Sequence, residues 1–509
     1  MVFLTVCNVC RATRMGLVVH NRLLPLLGFG LAFGGWLLPG QAVGQDHLKA
    51  SLPKIRIAPD HRSFITEDGK PFLPWGVNYY RPGTGWAPQI WKKFDPEATR
   101  QDFVRMKALG VNCIRVFLTY GSFCMEPETL MKEGLDKFDR FLAMAESAGI
   151  YVHPTGPDHW EGTPVWAAGD RIADEQVLRA LEMFWKQFAK RYRGRPVIFA
   201  YDLRNEPEVF WETPAMRTKW NAWLQARYGS ADKAAKAWGI APDAIQWGKQ
   251  APPPPTGLAD TRLLLDYQHF RESLALDWTR RQAETIKAAD PNALVTVGLI
   301  QWSVPALLPA GVRHYSGFRP KSQAKFLDFL EVHFYPLESG FYAYADQQAE
   351  QRNLAYLESL VREVAATEKP VVLAEFGWYG GGKLTIDQGR HPAATEEQQA
   401  QWCCQAVQAT RGLAVGWLNW GLFDQPEAGD VSQLTGLLDH AGKPKVWARE
   451  FRKLASSSTG HTLSPPALGP RPVLDWDRCL TTTEASRQFR NAYFKAYLAE
   501  HVHGKPEAQ

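Results

Sequence analysis

The chain has 509 residues, 45% hydrophobic, 22% charged and 12% aromatic, with 41 glycines and 35 prolines spread along it. That balance belongs to a globular protein and excludes a disordered, a collagen-like and a polytopic membrane chain. Fifty-eight Lys and Arg against 53 Asp and Glu give +5, of which Arg11, Arg14 and Arg22 contribute three, so residues 45–509 carry +2 and have no electrostatic case for binding nucleic acid or an anionic membrane.

The first element is an apolar, Gly-rich stretch from Leu23 to Leu38, preceded by positive charges and followed by Ala42 and Gly44 at −3 and −1 spacing. It reads as an export signal over 1–44, cut before Gln45, with Met15 as an alternative start. The run is too short and too broken to predict a membrane span after cleavage, and no cysteine follows it to carry a lipid. An uncleaved N-terminal anchor is the competing reading. The expected location is therefore secreted or periplasmic.

Between residues 72 and 424, short apolar runs alternate with amphipathic segments. The runs are 72–80, 111–118, 150–155, 197–203, 294–299, 329–335, 371–376 and 415–422, rich in β-branched and aromatic residues as strands buried on both faces are. The first intervening helix starts at Asp95-Pro96, shares Phe103, Met106 and Leu109 on one face and stops at Gly110. Leu135, Phe138, Leu142 and Ala145 mark a second, ended by Gly149. Val177, Leu181, Phe184, Phe188 and Tyr192 mark a third, and Leu354, Leu357, Val361 and Val364 another.

Eight strands alternating with helices predict an α/β fold with a parallel sheet, and eight is the number that closes into a (β/α)₈ TIM barrel. The rival, an open doubly wound sheet, usually carries a glycine fingerprint after its first strand, and Trp75-Gly76-Val77-Asn78-Tyr79 has none. Residues 208–260 form a long insertion after strand four, with a helical piece around Trp220, Trp223 and Leu224 and four prolines at 252–255. Residues 457–509 read as a linker followed by a helical extension around 489–498, leaving 45–456 as the barrel domain.

Cys113, Cys124, Cys403, Cys404 and Cys479 follow the signal. Their odd number and the lack of CxxC or Cys/His spacing make buried thiols the expected state, with no zinc site.

In a barrel the carboxyl ends of the strands face the active site, and a buried charge there needs a reason. Strand four ends Asp202-Leu203-Arg204-Asn205-Glu206-Pro207, and strand seven ends Leu373-Ala374-Glu375-Phe376-Gly377. Two glutamates facing each other across a barrel mouth are the minimal apparatus for cleaving a glycosidic bond. Taken alone, each glutamate could equally be an ion-pair or loop residue.

The Asn205-Glu206-Pro207 tripeptide and Glu375 in Ala-Glu-Phe-Gly resemble the retaining glycoside hydrolases of clan A, with family 5, the cellulase and β-mannanase family, as the nearest likeness over about residues 62–455. Asp68-Gly69-Lys70-Pro71-Phe72 and Gly76-Val77-Asn78-Tyr79-Tyr80 belong to the same resemblance. It implies Glu206 as acid/base and Glu375 as nucleophile. It implies Arg115 beside the nucleophile, Asn205 on the sugar 2-hydroxyl, and His333 and Tyr335 in a strand-six His-x-Tyr with Tyr335 bonding the nucleophile. Trp420 would floor the −1 sugar, with Trp417 as rival, and Tyr79 joins the substrate-contacting set.

Strand three departs from the cellulase pattern. His153 lies inside it, and Asp158-His159-Trp160 after a Pro-Thr-Gly-Pro turn is similar to the Asn-Trp loop of family 5 β-mannanases, making His159 and Trp160 sugar contacts. The insertion departs too: Trp223-Leu224-Gln225-Ala226-Arg227-Tyr228-Gly229-Ser230 and Ala237-Trp238-Gly239 resemble family 42 β-galactosidases. Trp86, Trp91, Trp160, Trp166, Trp211, Trp302 and Trp378 fall in strand-end loops, and about half are expected to line a carbohydrate cleft.

The expectation is a retaining β-glycoside hydrolase acting on β-linked oligo- or polysaccharides of the mannan or glucan type, without metal or cofactor. An exo-acting β-galactosidase-like enzyme and a non-catalytic carbohydrate-binding barrel are the alternatives.

Overall fold

The computed structural model describes residues 52–84, 89–255, 261–308, 311–336, 344, 346–386, 391–464, 466 and 469–503. The predicted signal segment and Trp86 lie outside them. Residues from Ala50 onward form one compact unit.

Three short antiparallel strands, β1 (Ile55–Ile57), β2 (Phe64–Thr66) and β3 (Pro71–Phe72), come first. Eight parallel strands then close into a barrel: β4 (Trp75–Asn78), β5 (Cys113–Thr119), β6 (Tyr151–Asp158), β7 (Tyr201–Asn205), β8 (Val295–Leu299), β9 (Leu330–Phe334), β10 (Val371–Phe376) and β11 (Trp417–Asn419). Each predicted apolar run overlaps one of them. The first run splits between β3 and β4. Strand three continues through the predicted Pro-Thr-Gly-Pro turn to Asp158, and strand four starts and ends later than its apolar run.

The helices begin and stop where the sequence signals. Asp95 caps Pro96–Ala108 by accepting from the amides of Glu97 and Ala98, and Gly149 ends Lys132–Ala148 in the left-handed region at φ 69°. Glu175–Arg191 and Gln347–Ala365 bury the apolar stripes named above against the barrel.

The amino end of the barrel is plugged by the small sheet. The Phe64 ring packs edge-on against Phe199 and Phe329, each at 5.2 Å, so the open mouth is at the carboxyl ends of the strands.

The insertion holds helices Pro214–Tyr228 and Ala231–Trp238, which pack on the helix Arg262–Ala289. Tyr228 and Trp238 both donate to Asp266 of that long helix, and Trp211 donates to the Pro253 carbonyl at 3.0 Å. The C-terminal helix Thr483–His503 lies along Gln347–Ala365, where buried Glu358 accepts from Arg471 and from the Tyr493 hydroxyl, each at 2.8 Å. No helix among the described residues is long and apolar enough to cross a membrane. Cys113, Cys124, Cys403 and Cys479 are buried free thiols and Cys404 is half-buried.

Candidate active site

The barrel interior is polar above its aromatic plug. Arg115, in the middle of β5, is fully buried and its guanidinium is shared: Nη1 donates to Glu375 Oε1 at 2.5 Å and Asn78 Oδ1 at 2.9 Å, Nη2 to Asp202 Oδ2 at 2.7 Å and Asn205 Oδ1 at 2.9 Å. A planar fork of donors suits this arrangement, which a point-charge ammonium could not span. Beneath it His153 bonds Glu331 and the Ala200 carbonyl. Burial alone would push the His153 imidazole down, and the Glu331 charge raises it above its ordinary value.

Strand alternation delivers the carboxylates. Asp202 points inward to Arg115, and a register shift against β8 lets Asn205 do the same three residues later. The chain then turns sharply. Glu206 takes φ +44° with its amide donating to the Gly298 carbonyl at 2.9 Å, which lifts its side chain to the mouth. On β9 period two sends Glu331 and His333 inward, and Tyr335 continues the pattern just beyond the strand. The Tyr335 hydroxyl donates to Glu375 Oε2 at 2.9 Å, while its amide donates to Gln301 Oε1 at 2.8 Å.

Glu206 and Glu375 meet at His333. Its Nδ1 lies 3.0 Å from Glu206 Oε1 and 3.5 Å from Glu375 Oε1, and ligand atoms of the three residues all lie within 4.8 Å of one another. Burial pushes the imidazole down to about 4, so it is neutral near pH 7. Burial, helped by the Glu208 charge, raises Glu206 to about 8, although 27% of its side chain opens to the cleft. Glu375 is also raised by burial, opposed by His333, Arg115 and the Tyr335 hydroxyl. Glu206 is thus protonated at neutral pH, while the Arg115 cation and the Tyr335 donor favour the ionised form of Glu375.

The cleft has two lobes that share Trp160, Asn205 and Glu206. The smaller, about 150 Å³, holds both glutamates and is lined by Gln301, Trp302, Tyr335, Trp420 and Asp430. The larger, about 270 Å³, extends over Asp158, His159, Arg171, Arg204, Glu208 and Phe210.

Most of the predicted site residues converge here, with corrections. Trp420 forms part of the smaller lobe and donates to Ser432 Oγ at 2.6 Å, whereas its rival Trp417 is core and donates to Thr410 at 2.9 Å. His159 stacks on Trp160 at 4.7 Å in the larger lobe, away from Glu375. Arg115 and His333 lie below the cavity surface, where they contact the carboxylates and do not line the lobe. Tyr79 does not reach the cleft: Asn78 takes the inward position on β4, so Tyr79 points outward, packs against Phe141 and donates to Asp102 at 2.8 Å.

Of the loop tryptophans, Trp160 and Trp302 line the cleft. Trp91, Trp211 and Trp378 are buried in the body, and Trp166 packs on Tyr120. Sequence reasoning missed Gln301, Asp430, Phe210 and the pair Arg171 and Arg204. Arg204 alone carried a usable signal, a charge at the end of a buried strand beside Glu206.

Among the described residues two groups come close enough to hold an ion, His153 with Asp202 and Glu331, and Glu206 with His333 and Glu375. Arg115 already neutralises a carboxylate in each, so the donor set fits an ion-pair network better than a metal centre.

Comparison with known families agrees with this geometry. The family 42 glycosyl hydrolases, described as "Beta-galactosidase", match residues 171–459. The chain belongs to that family. The cellulase family, glycosyl hydrolase family 5, matches residues 65–256, so both clan A likenesses seen in the sequence are present, and the family 42 likeness extends well beyond the insertion.

Among similar proteins, β-galactosidase YesZ of Bacillus licheniformis is 25% identical over 240 residues, 40% of this chain and 34% of that protein. The solved structure of exo-β-1,4-mannosidase Op5Man5 from Opitutaceae bacterium strain TAV5 shares the fold at TM-score 0.56 and 19% identity, covering 79% of this chain and 62% of that one. GH5_18 from Streptomyces cattleya, in complex with GlcNAc, does so at TM-score 0.61 and 17% identity over 86% and 92%. The chain spans about a third of the length of the curated relatives it matches.

Proposed function

We propose that the protein is a retaining β-glycoside hydrolase that works by double displacement. One observation carries the reading: the facing oxygens of Glu206 and Glu375 lie within 4.8 Å of each other. Retaining enzymes hold their carboxyl groups about 5–5.5 Å apart, whereas inverting ones leave about 6.5–9.5 Å for a water molecule. Glu375 attacks the anomeric carbon of a sugar in the smaller lobe, and Glu206 gives its proton to the departing oxygen. The same Glu206 then takes a proton from the water that releases the glycosyl-enzyme. Asn205 is in reach of the sugar 2-hydroxyl, and Trp420 and Trp160 offer faces for the ring.

The substrate we propose is a β-linked oligo- or polysaccharide of the mannan or glucan type, supported by the family 5 match and the aromatic cleft. The second reading, an exo-acting β-galactosidase-like enzyme, is favoured by the family 42 match over 171–459. Export through residues 1–44 completes the proposal, and N-terminal sequencing of the mature protein tests it by looking for a start at Gln45.

A hydrolysis screen of β-mannan, β-glucans, β-galactosides and aryl β-glycosides, with Glu375→Gln as control, tests the function. Initial release of the β-anomer, seen by proton NMR, supports retention. Initial release of the α-anomer, or turnover undiminished in the control, overturns it. Monosaccharide as the sole early product selects the exo reading.

A further inference from the structure

The larger lobe of the cleft contains cations that the proposed chemistry does not use. Arg204, on β7, is 9% exposed and lines this lobe, and its Nη1 is sealed from solvent without a hydrogen-bond partner among the described residues. Arg171, from the loop after β6, lines the same lobe; its guanidinium faces the Tyr120 hydroxyl, but its Nη1 is likewise sealed without a hydrogen-bond partner among the described residues. The two guanidiniums are near enough that Arg204, after burial, helps push Arg171 below its ordinary value. Like charges held together in a half-desolvated pocket are costly unless an anion joins them.

The acids lining the lobe do not fill that role. Asp158 is engaged by His159, whose Nδ1 lies 2.5 Å from Oδ1 and whose amide also donates to it, and Arg204 adds only a longer-range attraction. Glu208 accepts from the Trp302 indole and answers to Arg271 and His314 rather than to the pair. Glu206, at about 8, is uncharged near pH 7. Asp158 is therefore committed to His159 and Glu208 to Trp302, and among the described residues neither hydrogen-bonds the arginine pair.

The lobe's position says what the anion belongs to. It adjoins the face of Glu206, the proton donor, while Glu375 lies only in the smaller lobe. In the mechanism proposed above, on which this inference rests, the group departing past Glu206 is the leaving-group sugar. We infer that Arg171 and Arg204 form a subsite for an oxyanion substituent, a carboxylate or a sulfate ester, on the sugar at the leaving-group side of the bond. Arginine's fork matches both groups in paired hydrogen bonds. Phe210, 48% exposed at the rim, offers that sugar an aromatic face. The β-linked substrate proposed above then carries an acidic substituent on its leaving-group sugar.

Calorimetric titration of the full chain with D-glucuronate, glucose 6-sulfate and glucose tests this without turnover. A charged sugar is expected to bind at least about tenfold tighter than glucose, as loss of a hydrogen bond to a charged group implies. Which of the two is preferred distinguishes a uronic acid from a sulfated sugar. The preference should collapse in Arg204→Gln and Arg171→Gln, survive in part in Arg204→Lys, weaken with salt and persist in Glu375→Gln. Thermal unfolding of each variant separates lost binding from lost folding.

Equal binding of all three sugars, binding of none, or a preference unchanged in both glutamine variants overturns the subsite. Hydrolysis of neutral aryl glycosides alongside such a result would leave the glycosidase reading standing. A charged-sugar preference without any hydrolysis would do the reverse.

Discussion

The Nδ1 of His333 lies 3.0 Å from Oε1 of Glu206, and the imidazole that makes this contact is neutral near pH 7 because burial holds it down to about 4. A histidinium at that position would draw the proton off Glu206 and spoil it as an acid. A neutral ring leaves the carboxyl protonated and fixes its direction. Burial of His333 and protonation of Glu206 are thus two sides of one arrangement.

The pH profile follows. In the proposed mechanism Glu206 must be protonated for the first step, and burial pushes it up to about 8, so kcat/KM is expected to fall as pH rises through about 8. Glu375 must be ionised, and its pKa lies above the ordinary carboxylate value, so the acidic limb should sit above that of an exposed glutamate. Initial rates from pH 4 to 10 check this. Glu206→Gln should remove the basic limb of kcat/KM and spare kcat/KM for aryl glycosides whose leaving group needs no proton, while kcat falls because the glycosyl-enzyme loses its base; a basic limb that persists in this variant belongs to another group.

Removing the nucleophile should be far more damaging. Glu375→Gln is expected to lower kcat on the order of 10⁴-fold or more, as loss of the attacking group does elsewhere. Mass spectrometry with a slow-turnover 2-fluoro glycoside gives an independent check. The wild type should gain one glycosyl mass on the peptide containing Glu375, and the variant none.

Gly298 offers a test that leaves every charged group in place. A Cβ there would lie 2.8 Å from Arg115 Nη2 and 3.1 Å from the His333 ring. Gly298→Ala is expected to displace both, and through them Glu375 and Glu206. A shift of about 1 Å in a catalytic group can cost roughly 100-fold. Activity within a few-fold of wild type would mean that Arg115 and His333 do not set the carboxylate geometry.

Arg115→Met should weaken the fold as well as the site. Asp202 and Glu375 would be left as buried charges without their cation, a loss of about 3–5 kcal/mol in comparable ion pairs. Urea denaturation at pH 7 measures the loss, which should shrink at acid pH as Glu375, raised by burial, becomes protonated.

Much of this was legible in the sequence for physical reasons. Strands buried on both faces must be continuous apolar runs, so all eight stood out. A glutamate at the end of one such run could be an ion-pair or loop residue, but two of them, on strands four and seven, together pointed to chemistry, so Glu206 and Glu375 stood out too. Tyr79 was misplaced because it is the pleat, and not the tripeptide it sits in, that decides which side chain looks inward, and Asn78 holds that position. Asp430 and Phe210 were illegible because they lie in loops without periodicity. Arg204 was overlooked because the better-known neighbours Asn205 and Glu206 absorbed the charge argument that applied equally to it.

The embrace of Glu358 by Arg471 and Tyr493 bears on where the chain can be cut. The family 42 match ends at residue 459, yet Glu358 belongs to a helix of the barrel's own wall and is 2% exposed. Trimming to the homologous boundary would strip this carboxylate of Arg471 and unroof the helix that carries it. The shortest fragment that keeps the barrel intact therefore runs past Tyr493, and sequence homology underestimates it.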